Sequence, residues 1–322
     1  MDKIVRKSFP DKIDRDTICE IRGRRDDNFY SARTDRNIGW ITPEEQELIR
    51  DSKIGIAGCG GMGGGLAEIF VRLGVGKLNI ADTEVFDISN INRQFAASIS
   101  TQSKSKVQET GKKLFSISDD FQLTIFPRGI TEDNADEFVR DCSAICDEVE
   151  FWAIGSRILL HQAARKAGVS VFNGNSVGFG ARLFLFSPEG VTIEDVLGLD
   201  LKEAMRIEKS IVTESADPGD IALVMNKIIK GLVPEEPEYG LAGDYSDLFF
   251  VKNRLKKEGK ASVISTTPPL AAGLLTAQVL LYLLSDGLWM NRDKVKRVPE
   301  MPGYLYLDCA KMEARIVKGK WW

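Results

Sequence analysis

The chain has few of the residues from which metal sites and hydrolytic active sites are commonly built. His161 is its only histidine, so a mechanism with a histidine base or several histidine ligands has to depend on that one residue. We expect His161 to be a packed or capping residue, because it lies between apolar residues of a predicted helix. No C-x-x-C pair occurs among the cysteines, which excludes a tetrathiolate zinc site and argues against a disulfide framework. These cysteines are Cys19, Cys59, Cys142, Cys146 and Cys309.

Charge and hydropathy set further limits on the function. The formal net charge is -4 at pH 7, so the chain has no overall basic field to hold a nucleic-acid backbone, and we expect no nucleic-acid partner. No apolar stretch reaches the length of a membrane span, and the charged first residues lack the apolar segment of a signal peptide. The composition therefore predicts a soluble cytoplasmic protein without a membrane partner.

Glycine, by contrast, is concentrated in one segment, KIGIAGCGGMGGGLAEIF (53–70). Gly58, Gly60 and Gly63 fit the pattern G-x-G-x-x-G between a short apolar strand and a helix. Glycines permit the sharp turn and the close backbone approach, and the free amides at the start of the helix can hold a phosphate. The segment predicts a nucleotide site, with a purely structural tight turn as the alternative.

The order of apolar segments predicts the fold class. Predicted strands (54–57, 77–82, 122–130 and 144–152) alternate with predicted helices (ending near 73, then 104–117 and 133–142), which is typical of an α/β fold with a doubly wound, mostly parallel sheet. We expect residues 1–40 to form an irregular N-terminal arm and 41–190 the Rossmann-like nucleotide-binding core. Residues 191–262 are predicted to be a helical insertion or lid, and 263–322 a return to the same domain. That last part has an apolar helix at 268–284, buried or at a subunit interface, and a C-terminal hairpin at 303–318.

Three charged residues after the glycine segment favour one nucleotide over another. Asp82 ends the second predicted strand, where its carboxylate can accept hydrogen bonds from both ribose hydroxyls of NAD or ATP. Arg93 and Lys106 follow it. A dinucleotide can rely on helix amides, whereas a triphosphate carries more charge and requires cationic side chains. ATP is therefore favoured, and an NAD-dependent oxidoreductase is the alternative.

These motifs, in this order, resemble the ThiF/MoeB family, the ubiquitin-activating-enzyme-like adenylyltransferases. The resemblance rests on the G-x-G-G-x-G turn, on GVGKLNIADTEVFDISNINRQ (74–94) and on the later Lys106. It implies that ATP and a carboxylate, often the C-terminal glycine of a small β-grasp protein, form an acyl adenylate and release pyrophosphate. Asp82 would bind the ribose, and the phosphate site would contain Asn90, Arg93, Gln94 and Lys106. The nucleotide-binding set is completed by Gly58, Gly60, Gly61, Gly63 and Glu84.

The resemblance also implies a magnesium ion and a partner subunit. In CDEVEFWAIGSR (146–157), Asp147 and Glu150 match the two acids of the family's D-x-x-D segment, although Arg157 lies two positions later than the pattern expects. Arg33 or Arg36 would be the catalytic arginine that reaches the neighbouring site of a homodimer.

The sequence has no cysteine between Cys146 and Cys309, so we expect no thioester step, and we expect Cys59 and Cys309 to be packing residues. The altered acidic segment leaves open a catalytically silent relative that acts as a scaffold. The carboxylate also stays open between a β-grasp carrier protein, a peptide and a small acid.

Overall fold

The computed structural model describes residues 2–235, 237, 262–285 and 295–322. Within these ranges, ten strands form one sheet in the order β1-β2-β5-β4-β3-β6-β7-β8-β9-β10. The strands are β1 (Asp2–Arg6), β2 (Thr17–Arg22), β3 (Lys53–Ala57), β4 (Lys77–Ala81), β5 (Gln122–Phe126), β6 (Ala144–Asp147), β7 (Val171–Val177), β8 (Gly180–Phe186), β9 (Gly303–Asp308) and β10 (Glu313–Lys318). The helices are α1 (Asp27–Thr34), α2 (Pro43–Asp51), α3 (Gly63–Leu73), α4 (Lys106–Ile117), α5 (Ala135–Val139), α6 (Ile154–Lys166), α7 (Ile193–Leu197), α8 (Leu201–Val212), α9 (Pro218–Leu232) and α10 (Thr267–Leu283).

The centre of the sheet is parallel, which confirms the predicted doubly wound α/β fold. Strands β5, β4, β3, β6 and β7 pair in parallel. The chain adds β4 and β5 on one side of β3 and then crosses to add β6 and β7 on the other side. In open sheets of this kind, ligands bind at the carboxyl ends of the strands where the winding direction changes, here between β3 and β6. From β7 to β10 the strands are antiparallel, and β9 and β10 form the predicted hairpin.

Apolar residues cover both faces of the sheet, because helices pack on both sides of its parallel centre. On one face Ile54 and Ile56 of β3 pack with Leu66 and Phe70 of α3. On the other face, residues of β6 pack with α6, α7 and α8. Full burial of each such side chain stabilises the fold by about 1.5–3 kcal/mol. The two clusters hold the strand ends, and therefore the candidate site, in a fixed arrangement.

The prediction that residues 1–40 form an irregular arm is wrong, because this segment contains two strands of the sheet. Strand β2 pairs antiparallel with β5 and buries Ile18, Cys19 and Ile21. Strand β1 pairs with β2 at the edge of the sheet and is exposed along its whole length. Because an exposed, charged edge strand has no apolar alternation, the sequence pattern did not reveal it.

Two strands end earlier than predicted, for local reasons. Strand β5 ends at Phe126 because Pro127 has no amide hydrogen for the ladder. Strand β6 ends at Asp147, whose Oδ1 accepts a hydrogen bond from the backbone N–H of Val149 at 3.1 Å and turns the chain.

The described part of the predicted insertion is helical, since 191–235 contains α7, α8 and α9. The prediction for 238–261 lies outside the described residues, and the domain boundaries stay a prediction. Helix α10 packs against α3, β7 and β8 of its own chain and buries Ala271, Ala272 and Leu275. No helix in the described ranges is long and apolar enough to cross a membrane.

Candidate nucleotide site

The glycine turn between β3 and α3 contains two kinds of glycine. Gly58 has φ +108°, and a Cβ there would lie 2.0 Å from the carbonyl oxygen of Glu148. A Cβ at Gly63 would lie 1.9 Å from the carbonyl oxygen of Gly58. At Gly60 the nearest described atom, Nε2 of Gln94, would be 4.0 Å away. Packing therefore requires glycine at 58 and 63, whereas position 60 has room for a side chain.

This difference predicts opposite results for two alanine substitutions. Gly58→Ala should unfold at a clearly lower temperature, because both its backbone conformation and the contact with Glu148 exclude a Cβ. Gly60→Ala should melt like the wild type but bind ATP about tenfold or more weakly, because this glycine permits backbone approach to phosphates. Thermal melting and calorimetric titration measure the two effects. An ATP affinity unchanged by Gly60→Ala would contradict the phosphate-binding role.

A cleft, open to solvent, lies beside this turn with about 570 Å³ of empty space. The ends of β3, β4, β5 and β6 form its floor, at the point where the winding direction changes. Its lining is rich in acid side chains and includes one arginine, Arg128. The acidic lining residues are Asp82, Glu84, Glu148, Glu150 and Glu208.

Asp82 lies at the end of β4, in the middle of the cleft floor. Its Oδ2 accepts a hydrogen bond from the N–H of Cys59 at 2.7 Å, and its Oδ1 accepts one from the N–H of Glu84 at 2.8 Å. Burial raises the pKa of Asp82 to about 6, although the nearby Lys106 acts in the opposite direction. Each oxygen keeps lone-pair capacity that can accept from a ribose hydroxyl.

Lys106 is the first residue of α4, which begins there because the side chain of Ser105 caps the helix. Its Nζ donates to Oε2 of Glu84 at 2.6 Å, and its side chain is only 5% exposed against 47% for Glu84. The structure thus brings three residues predicted from the sequence, Asp82, Glu84 and Lys106, to one end of β4.

Three further predicted residues lie in the loop that follows β4. Oε1 of Gln94 is buried and has no hydrogen-bond partner among the described residues, while its Nε2 faces Gly60. Arg93 donates to the carbonyl oxygen of Ser89, and its Cδ would lie 3.9 Å from a Cβ at Gly61. Asn90 is buried and caps its own turn. Gln94 and Arg93 therefore border the glycine turn, whereas Asn90 supports the loop.

The structure separates the two predicted metal ligands. Glu150 is exposed and lines the cleft. Asp147 is fully buried and absent from the described lining, and its Oδ2 lies 2.9 Å from Nε of Arg157 and 3.0 Å from Nε2 of His161. Burial alone would raise the pKa of Asp147, but Arg157 and His161 outweigh it and hold that pKa below its usual value. Asp147 thus belongs to a structural ion pair, and His161 is a packed residue, as predicted.

The two N-terminal arginines also differ in their exposure and in their contacts. Arg33 is held within its own chain, where Nε lies 2.7 Å from Oδ2 of Asp120 and Nη1 donates to the carbonyl oxygen of Val71 at 2.8 Å. Arg36 is exposed. Of the two, Arg36 is the one whose guanidinium is accessible to another subunit.

Three charged lining residues, Arg128, Glu148 and Glu208, were missed by the sequence analysis. Oε1 of Glu148 is buried without a partner in the described ranges, and burial raises the pKa of this carboxyl well above its usual value. Glu148 directly follows β6 in the structure, whereas the predicted strand 144–152 included it. Glu208 belongs to α8, in the segment taken as an insertion, and no local pattern connects it to the cleft. The cysteine predictions were half right, since Cys59 is buried but Cys309 is exposed.

Comparisons with known proteins agree with this architecture. The chain is 31% identical over 140 residues to the sulfur carrier protein ThiS adenylyltransferase of Bacillus subtilis. The aligned stretch covers 43% of this chain and 41% of that enzyme. The chain is 26% identical over 148 residues to the Escherichia coli enzyme of the same name, 46% of this chain and 58% of that one. The chain thus spans well under two thirds of the length of either relative.

Solved structures extend the likeness of fold over most of the chain. The structure of E. coli MccB with succinimide superposes on this chain with a TM-score of 0.58 at 14% sequence identity. The superposition covers 88% of this chain and 69% of the MccB chain. PaaA superposes with a TM-score of 0.57 at 16% identity and covers 89% of this chain and 73% of its own. Residues 34–317 of the chain match the ThiF family. The chain belongs to the ThiF family.

Proposed function

We propose that the chain is an adenylyltransferase that activates a carboxylate with ATP as an acyl adenylate and releases pyrophosphate. The observation that carries the proposal is the convergence of the glycine turn and Asp82 on one cleft, with Lys106 bonded to Glu84 of its lining. The names of the relatives support it, because two of them are ThiS adenylyltransferases.

The cations around the turn favour a triphosphate over a dinucleotide. Lys106 lies close enough to Asp82 to affect its pKa, and Arg93 borders Gly61. In a cleft lined with carboxylates, further phosphate groups bind only if cations offset their charge. A nicotinamide dinucleotide has no outer phosphates for these two side chains.

The proposed reaction needs no general base, because the attacking carboxylate is already ionised. Its oxygen forms a bond to the α-phosphorus of ATP while the bond from that phosphorus to the bridging oxygen breaks and pyrophosphate leaves. The glycine turn and Asp82 hold the nucleotide in line with the attack, and Lys106 and Arg93 stabilise the negative charge on the phosphates.

The cleft also fits a magnesium ion. Within the described ranges, no three His, Cys, Asp or Glu side chains could hold a metal by themselves. Magnesium in nucleotide sites is commonly bound by one or two carboxylates together with substrate phosphates. Glu150 lines the cleft and would hold the ion. When bound, magnesium neutralises phosphate charge.

Calorimetric titration tests the nucleotide preference. We expect ATP with magnesium to bind more tightly than NAD, because Lys106 and Arg93 contact only the longer phosphate chain. Equal or tighter binding of NAD would favour the oxidoreductase instead.

We propose a small carrier protein or a peptide as the carboxylate substrate. The relatives named above act on the sulfur carrier ThiS. One MccB structure is titled as a complex with MccA. A reducing cytoplasm is the proposed compartment, in line with five free cysteines, four of them buried.

We further propose a homodimer in which Arg36 completes the neighbouring site. Mixing an Arg36→Ala chain with a Lys106→Ala chain should restore activity, because about a quarter of all sites would then be intact if subunits exchange freely. Each variant alone should be nearly inactive. A fully active monomer by sedimentation, or a mixture without recovery, would contradict this arrangement.

A further inference from the structure

The direction of a bound nucleotide follows from the two ends of the cleft. The glycine turn marks the phosphate end, and Asp82 contacts this turn by accepting a hydrogen bond from the N–H of Cys59. Since the ribose joins the base to the phosphates, the base has to lie beyond Asp82. The rest of the described lining is partly apolar, with Ile130, Val149 and Ala153, and also includes Ser156 and Glu208.

Close helix packing brings Glu208 into the lining of the cleft. Helices α6 and α8 approach each other at Gly155, where a Cβ would lie 2.8 Å from the Cα of Met205. Glu208 follows Met205 by about one turn of α8. Its Oε2 accepts from the N–H of Ser156 at 2.8 Å, and its Oε1 accepts from Oγ of the same serine at 2.6 Å. These two bonds fix the carboxylate at the start of α6.

Each of these oxygens has accepted one of the two hydrogen bonds that a carboxylate oxygen can take. The remaining capacity suits a base edge that donates, such as the exocyclic amine of adenine. A base with a carbonyl oxygen in that position presents an acceptor to an acceptor. Building on the proposed function, we infer that Glu208 of the helical segment 191–235 recognises the amine of the nucleotide base and selects adenine.

Three triphosphates test this inference on the wild-type protein with magnesium. ATP should bind about tenfold or more tightly than purine riboside triphosphate, which lacks the amine, because a hydrogen bond to a charged group is lost. Inosine triphosphate, with its carbonyl oxygen, should bind more weakly still. Equal affinity for ATP and inosine triphosphate would overturn the inference without any variant.

Glu208→Gln distinguishes base recognition from simple capping of α6. Its amide can accept from an amine or donate to a carbonyl, so the ratio of ATP to inosine triphosphate affinity should fall by about tenfold. The matched control is Glu203→Gln on the same helix, since Glu203 is exposed and outside the described lining; its ratio should equal that of the wild type. An unchanged ratio in Glu208→Gln would assign Glu208 to capping only. If no triphosphate binds the wild type, the proposed function itself fails, a result distinct from binding without base preference.

Discussion

Replacing Lys106 with alanine is expected to lower the rate of exchange between ATP and pyrophosphate by about a hundredfold, the usual effect of losing one charge partner of the transition state. Lys106 is an almost fully buried cation bonded to Glu84, one of the carboxylates that line the cleft. Its loss leaves the triphosphate charge opposed by Arg93, Arg128 and the metal. The fold should be retained, because its partner Glu84 is half exposed and can be hydrated.

Lys104→Ala is the matched control for this substitution. Lys104 precedes α4 by two residues and is exposed, so its loss should change neither the exchange rate nor the melting temperature. If both variants lose activity equally, the effect of Lys106 would come from the general charge of the loop rather than from contact with phosphate.

Alanine at Asp147 and at Glu150 should have different consequences. Asp147→Ala is expected to destabilise the fold by about 3–5 kcal/mol, because it leaves Arg157 as a buried cation without its partner. Glu150→Ala should keep the stability of the wild type and lower the exchange rate by about a hundredfold, because the metal loses its protein ligand. Chemical denaturation and pyrophosphate exchange measure the two effects separately.

The pH dependence of stability gives a second test of the role of Asp147. Because its pKa in the folded chain lies below the usual value of about 4, the ionised form stabilises the fold fully above that pH. The contribution is lost as the pH falls through the folded pKa. Asp147→Asn should remove this acid-dependent contribution to the stability of the fold. A carboxylate that is exposed in the cleft and only binds a metal would make no such contribution.

Glu150→Asp should retain most activity, since it restores the shorter carboxylate expected from the family resemblance. If neither Glu150→Ala nor Asp147→Ala changes the exchange rate, the metal is held elsewhere and the alignment of residues 146–157 is wrong.

The predicted residues that the structure brings together lie in one continuous part of the chain. The glycine turn, Asp82 and Lys106 belong to successive strand and helix units, so the spacing along the chain follows from strand and helix lengths. Local rules of this kind therefore predicted the glycine turn and the end of β4, which the structure places side by side.

The residues that the sequence analysis misplaced depend on contacts distant in sequence. Asp147 and Glu150 occupy equivalent positions in an acidic motif, and only the packing of α6 against β6 assigns Arg157 and His161 to Asp147. Glu208 enters the cleft because α8 packs at Gly155, far from the nucleotide motifs. Strand β2 is held by pairing with β5 and strand β1 by pairing with β2, which no pattern within residues 1–40 specifies.

Exchange of labelled pyrophosphate into ATP is the most direct test of adenylate formation. With magnesium and a small β-grasp carrier protein or peptide ending in glycine, the account predicts exchange that requires the carboxylate and stops when the same C-terminus is amidated. Loss of exchange in Lys106→Ala would tie the signal to this cleft. Tight binding of ATP with no exchange for any carboxylate supplied would contradict the account and favour a silent scaffold.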